Sequence, residues 1–231
     1  MFEYFFTKRW LRAGKKTQIT SSIKNLVSKF TGTYENKALA MSNFIKKYRK
    51  EVHEIFRMRS RFEPTANDIL ARGAKGCTQK ATLFRAMCIA NNIPAIFVET
   101  INKDWIKLKP TKEVEKVLIA FKKEHKKVDI KNWKLWLQSK NIEKSILDYI
   151  EKNKKNLYTI SGHFFVDVFI DKKWYTINPG KAKLYKRGDY FIKGMGKYVP
   201  IYKGLDIEDF PYAEKDFRKI IAKKYNKKWL I

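Results

Sequence analysis

Gly76 and Cys77 open the run Gly-Cys-Thr-Gln-Lys-Ala-Thr-Leu-Phe-Arg-Ala-Met-Cys88, which places a cysteine where a helix should begin. At a helix start the unpaired backbone N–H groups and the positive end of the macrodipole favour thiolate over thiol. The pKa then falls below the roughly 8.5 of a free cysteine. Gly76 lets the backbone turn sharply there and leaves room for a substrate carbonyl. A thiolate that performs acyl transfer needs an imidazole to take and return its proton, and a third polar group to hold that imidazole in the right tautomer. His163 and Asn178 are the residues that can supply both.

Those two residues need a hairpin to bring them together. His163-Phe-Phe-Val-Asp-Val-Phe-Ile170 is β-rich, a turn falls around Asp171 to Lys173, and Trp174-Tyr-Thr-Ile-Asn178 returns as a second strand. A turn centred on Ile170-Asp171 sets His163 and Asn178 directly opposite each other. A turn centred on Lys172 slips them by three residues, roughly 10 Å along the strand. Asp167 is the competing orienting residue. It shares a strand face with His163 but lies roughly 13 Å along it, so it reads as a strand-face acid.

The Cys77 helix turns apolar nearly all round by Leu83, Phe84, Ala86, Met87, Cys88, Ile89 and Ala90, which predicts a buried central helix. It ends at Asn91-Asn92 before Pro94, and Ala95 to Glu99 follows as a strand. Upstream, Ser21 to Phe30 predicts a short helix stopped near Gly32. The spacing of Ala38, Met41, Phe44, Ile45, Tyr48 and Val52 predicts an amphipathic helix over about Asn36 to Phe56, and Thr65 caps a third that stops at Gly73. The first 60 residues thus read as a helical extension and 61–231 as the core.

The core is interrupted at about 107–156, where 15 Lys meet 7 Asp plus Glu and where Val114, Leu118, Phe121, Trp133, Trp136, Leu137, Ile146 and Ile150 keep helical spacing. This is a basic insertion of two or three helices. Trp133 and Trp136 among lysines form either a nucleic-acid stacking surface or the insertion's buried stripe. Lys197 to Tyr202 reads as an edge strand tolerant of Pro200, and Ala213 to Trp229 as a basic terminal helix.

Lys and Arg number 51 against 23 Asp and Glu, a formal charge of +28 over 231 residues. That field attracts polyanions, yet the bases are mostly scattered lysines, which also serve solubility. Cys77 and Cys88 would stand roughly 16 Å apart on one helix and cannot bridge. Cys88 reads as core, a reducing compartment follows, and His53 and His125 fall in charged helical segments. No Cys or His pair has zinc-ligand spacing, so neither metal nor cofactor is expected. Bases follow a very short apolar run at the N-terminus, the wrong order for a secretory signal, and no run approaches the roughly 20 apolar residues of a membrane span. A cytoplasmic protein is expected.

The stretch from Thr65 through Gly76-Cys77 to Met87, with Asn92-Ile-Pro-Ala95 after it, resembles the core of the transglutaminase-like cysteine enzymes. The second half of that pattern resembles His163 to Asp167, Trp174 and Asn178-Pro179. The resemblance covers about Thr65–Glu99 and His163–Pro179. It implies an α+β, papain-like fold with a central helix on an antiparallel sheet. It also implies a cysteine-dependent acyl-transfer enzyme, a peptidase or transglutaminase-like acyltransferase acting on protein or peptide amides through a thioester. Cys77 becomes the nucleophile, His163 the base and then acid, and Asn178 the orienting residue, where the family usually has Asp. An amide oxygen can still accept the imidazole N–H, as in the Cys-His-Asn form of the triad, but it lends the imidazolium no charge. The alternative reading is a non-catalytic module of the same fold whose basic surface engages nucleic acid or another acidic partner.

Overall fold

The computed structural model describes residues 7–48, 64–74, 76–124, 135–137, 139–140, 142–158, 162–209, 223 and 225. His53, His125, Trp133 and nearly all of the expected terminal helix lie outside the described residues. The chain divides into two compact units, one within Met1–Ile101 and Gly162–Ala213, the other within Asn102–Ser161 and Glu214–Ile231.

Among the described residues the first unit includes the helices α1 (Ser21–Val27), α2 (Tyr34–Lys47), α3 (Ala66–Arg72) and α4 (Cys77–Ala90). The starts of α1, α2 and α3 are capped by hydroxyls: Thr20, Thr33 and Thr65 each accept the N–H of the third residue beyond. At α3 the capping is reciprocal, because the Asp68 carboxylate accepts the Thr65 N–H at 3.0 Å. Those bonds hold Asp68 below its ordinary 3.8, first through the Thr65 hydroxyl and then through the Thr65 N–H. The helix expected over Asn36 to Phe56 begins two residues earlier, behind its Thr33 cap, and breaks at Tyr48. The Tyr48 hydroxyl is held by the carbonyl of Leu70, and residues 49–63 lie outside the described set.

The sheet runs β4-β3-β2-β1-β6-β5, with β1 at Ala95–Asn102, β2 at Gly162–Ile170, β3 at Lys173–Ile177, β4 at Leu184–Lys186, β5 at Phe191–Ile192 and β6 at Gly196–Gly204. The pairings of β1 with β2, β2 with β3, β3 with β4 and β5 with β6 are antiparallel. The strand holding Pro200 is therefore not an edge in this order but lies between β1 and β5. Proline is tolerated there because β5 pairs only with Gly196 and Lys197 and leaves Pro200 unopposed on that side.

Alternation along the strands gives the sheet two different faces. Phe97, Phe164, Val166, Val168, Ile170 and Ile177 join the buried residues of α1 to α4 in one core, in which Ala81, Leu83, Phe84, Ala86, Met87 and Cys88 are wholly buried. The central position expected of α4 is what the chain adopts. One member of that helix breaks its apolar pattern: Arg85 is fully buried. Its guanidinium donates to the carbonyl of Ala95 at 3.0 Å, the hydroxyl of Thr17 at 2.9 Å and the carbonyl of Arg12 at 2.9 Å. Burial draws its pKa down to about 10 against the opposing pull of Asp206. Val98, Phe165, Tyr190 and Tyr198 form a separate cluster on the other face. There Asp167 is fully buried, accepting from Thr176 at 2.7 Å, Tyr190 at 3.1 Å and the Lys203 ammonium at 3.1 Å.

The second unit contains α5 (Lys103–Lys107), α6 (Lys112–Glu124) and α7 (Lys144–Tyr158). Val114, Leu118, Phe121 and Ile150 are buried, as the helical spacing requires. Trp136 packs edge-on against Phe121 with centroids 5.2 Å apart and is itself buried. Trp136 therefore belongs to the insertion's apolar stripe.

Candidate active site

Cys77 is the first residue of α4, after Gly76 in extended backbone. Gly76 offers no side chain to cap the helix, so the start of α4 stays open around the sulfur. Cys77 is half-buried. Its surroundings act in opposite directions: burial pushes the thiol pKa up, while a hydrogen bond from His163, the charge of His163, the N–H of Phe164 and the hydroxyl of Thr78 pull it down. The result is about 7 against an ordinary 9.0.

His163 stands near the start of β2 with its ring against Phe165, centroids 4.9 Å apart, and Tyr198 at 6.1 Å. Its Nε2 lies 3.0 Å from Oδ1 of Asn178. With that nitrogen engaged, Nδ1 is left to meet the sulfur. The carboxamide oxygen, being only an acceptor, holds the proton on Nε2. Burial works against a charged imidazole, but the bonds and charge of Cys77 and the bond to Asn178 outweigh it and raise the His163 pKa above 6.5. The half-buried Lys80, on the first turn of α4, pulls it the other way.

The hairpin brings His163 and Asn178 together in a register that neither expected turn produces. Asp171 and Lys172 form a two-residue turn with φ of 47° and 63°, the left-handed pair of a type I′ hairpin. Val166 then faces Ile177 and Asp167 faces Thr176. Continued past its last pair, this ladder sets Asn178 beside Phe165, two residues from a position opposite His163. The side chains meet along the diagonal, which spans about 7–8 Å between backbones.

Asn178 itself is 7% exposed and opens a turn in which the Lys181 N–H donates to its carbonyl at 2.8 Å. Pro179 and Gly180, the latter at φ 93°, are the central residues that a type II turn demands. Ser42, wholly buried on α2, clamps this turn from 138 residues away. Its hydroxyl accepts the Gly180 N–H at 3.0 Å and donates to the Lys181 carbonyl at 3.2 Å. The sequence reading missed Ser42. Its signal was a hydroxyl among Ala38, Met41 and Ile45 on the buried side of a helix. The Pro179-Gly180 pair was an equally legible turn signal.

Asp167, the competing orienting residue, is engaged in its own buried network, and Cys88 is core, with a thiol pKa raised by burial. Among the described residues no group of three His, Cys, Asp or Glu side chains could hold a metal ion. No described helix is long and apolar enough to cross a membrane.

No protein-family model and no curated protein matches the chain. In fold it is similar to a solved structure, a "Putative Cysteine Protease from Cytophaga hutchinsonii". The TM-score is 0.51 and the identity 15%, over 90% of this chain and 50% of that one. The chain thus spans about half the length of that protein. At this identity the likeness speaks for the fold: an α+β, papain-like core in which one central helix packs on an antiparallel sheet.

Proposed function

We propose that this chain is a cysteine-dependent acyl-transfer enzyme of transglutaminase-like type, acting on amide bonds of protein or peptide substrates. Cys77 serves as nucleophile, His163 as acid and base, and Asn178 as the residue that orients the imidazole. The observation carrying the reading is the chain of contacts from the Cys77 sulfur through His163 to the Asn178 oxygen, 3.0 Å from Nε2, with the thiol drawn to about 7. The fold it shares with the protein named "Putative Cysteine Protease" supports it. So does the transglutaminase-like pattern around both motifs.

The chemistry runs in two halves. The thiolate attacks the amide carbonyl, and the tetrahedral oxyanion is met by the Cys77 N–H at the open end of α4. The C–N bond then breaks as His163 gives its proton to the leaving amine, which leaves a thioester. Water or a second amine next attacks the thioester while His163 takes its proton. The C–S bond breaks, and the thiolate returns with an acid or a new amide as product. Hydrolysis and transfer differ only in that acceptor.

The test is turnover of a fluorogenic peptide pool with and without a primary amine, alongside mass-spectrometric capture of the acyl-enzyme on the Cys77 peptide. Cys77→Ala should abolish turnover and the adduct together. Undiminished turnover in that variant excludes the mechanism.

A further inference from the structure

The face of the sheet turned away from α4 carries aromatic rings and cations that the acyl-transfer reading does not use. Trp174 on β3 stands opposite Phe169 on β2, with ring centroids 5.3 Å apart. Trp10, in a short 3-10 turn at Arg9–Leu11, meets Trp174 edge-on at 6.3 Å. Tyr185 on β4 pairs with Thr176 and so lies diagonally from Trp174 on the same face. All four rings are half-buried, with part of their surface in solvent.

Each of three rings is accompanied by a cation. The Arg9 guanidinium lies 3.8 Å from the Trp10 centroid, that of Arg187 4.9 Å from Trp174, and the Lys183 ammonium 5.2 Å from Tyr185. Arg9 and Lys183 are exposed, and Arg187, although 3.9 Å from Asp167, keeps 46% of its side chain in solvent. Trp174, Tyr185 and Arg187 also line an open groove of about 480 Å³ along the β3-β4 edge, together with Lys173, Tyr175, Leu184 and Lys186, whose places in the strands belong to the opposite face.

We infer that this face binds single-stranded nucleic acid, with bases stacking on Trp174 and Tyr185 and phosphates meeting Arg9, Lys183 and Arg187. Rings with flat, partly wet surfaces accept any base, and flexible cations beside them can pass from ring to phosphate without leaving the surface. Two rings on neighbouring strands suit two successive bases. The sign of the charge fits: the face is ringed by bases in a chain of net charge +28. An acidic peptide would satisfy the cations but give the rings nothing planar to stack on. The proposal is independent of the Cys77 chemistry and stands on different residues.

Fluorescence anisotropy of a labelled oligothymidylate of about 12 nucleotides, titrated with the full chain at about 50 and about 200 mM salt, tests it. Binding should weaken steeply with salt, and the single strand should bind more tightly than its duplex. Trp174→Ala should weaken binding about tenfold with the salt slope unchanged, while Trp174→Phe keeps most of the affinity. Lys183→Glu together with Arg187→Glu should flatten the slope. Tyr185→Ala repeats the ring test should Trp174→Ala fail to fold. The proposal is overturned by no binding at the lower salt, by duplex binding as tight as single strand, or by aromatic variants that bind like the parent. Polyglutamate competing as well as the oligonucleotide overturns it too and assigns the face to acidic peptides.

Discussion

Cys77 and Cys88 occupy the first and the twelfth positions of one helix, and their thiols are driven apart: one falls to about 7, while the other rises above its ordinary 9.0. Burial pushes up on both. At Cys88 the main opposing influence is the positive charge of Arg85, which is too little to offset it. At Cys77 the helix ends, and with it the surrounding apolar wall. The imidazole of His163, the Phe164 N–H and the Thr78 hydroxyl reach the sulfur and reverse the sign. The thiol pKa on this helix is thus decided by the groups gathered around its open end, and the residue type alone decides nothing.

The largest effect should come from removing the group that separates the two thiols. In His163→Ala the burial of Cys77 remains while its chief opposing influence is gone. The pH midpoint of iodoacetamide labelling should then climb from about 7 to 9 or above. At neutral pH the thiolate fraction falls about fiftyfold or more, and turnover falls by about 10² to 10⁴, as expected on losing a general acid and base. A midpoint unmoved by this variant would leave the thiolate without its stated cause, and Cys77 would differ from Cys88 by exposure alone.

Asn178→Asp should act in the opposite sense and more gently. A carboxylate in place of the amide adds charge beside an imidazole that Asn178 already helps to hold protonated. The His163 pKa should rise further, while the added negative charge gives the Cys77 thiol no help in losing its proton. The sign follows from the two required forms. Parent activity should rise as Cys77 loses its proton near pH 7 and fall where His163 loses its own, above the ordinary 6.5. The variant should extend that window on its upper side and leave the lower limb near its place. A pH–rate profile measures both limbs, and an upper limb that does not move would contradict the assigned role of the carboxamide.

Much of this comparison was legible in the residues themselves. Gly76 before Cys77, the apolar run through Ile89 and the Asn-Asn-Ile-Pro stop define the helix and its cysteine-bearing end without any tertiary information. The type of residue at positions 163 and 178 named their partners. The register did not follow, because the turn at Asp171-Lys172 lacks the glycine that usually marks a type I′ pair. Two left-handed residues without glycine leave no local sign of where a hairpin folds. Arg85 was equally hidden: a charge in an apolar run looks like a misplaced surface residue until Ala95, Thr17 and Arg12 supply acceptors. The short strands β4 and β5 exist through pairing with β3 and β6, and three or two residues carry no periodicity of their own.

Ser42 tests the same comparison from a greater distance. Its hydroxyl touches neither cysteine, yet it fixes the Pro179-Gly180 turn from which Asn178 reaches His163. Ser42→Ala leaves the Gly180 N–H and the Lys181 carbonyl without that partner, at a stability cost of about 1–3 kcal/mol. Turnover should fall several-fold, with the upper pH limb displaced downward as the imidazole is held less firmly. Ser42→Thr should restore the limb if its methyl is accommodated. A purely structural role would lower the unfolding midpoint and leave the pH profile in place.

Cys88→Ala should change the chemistry least and for that reason completes the contrast. The site is wholly enclosed, so removing the sulfur loses one buried apolar atom and leaves a small cavity, about 1–2 kcal/mol in denaturant unfolding. Turnover, the labelling midpoint near 7 and the pH profile should match the parent, because the helix end that governs Cys77 lies eleven residues away. In the native parent, iodoacetamide should modify one thiol per chain, and only denaturant should expose the second. Native labelling of Cys88 at a rate near that of Cys77 would mean that the core around Met87 and Ile89 opens readily. The two thiols would then share an environment that the folded helix assigns to one of them alone.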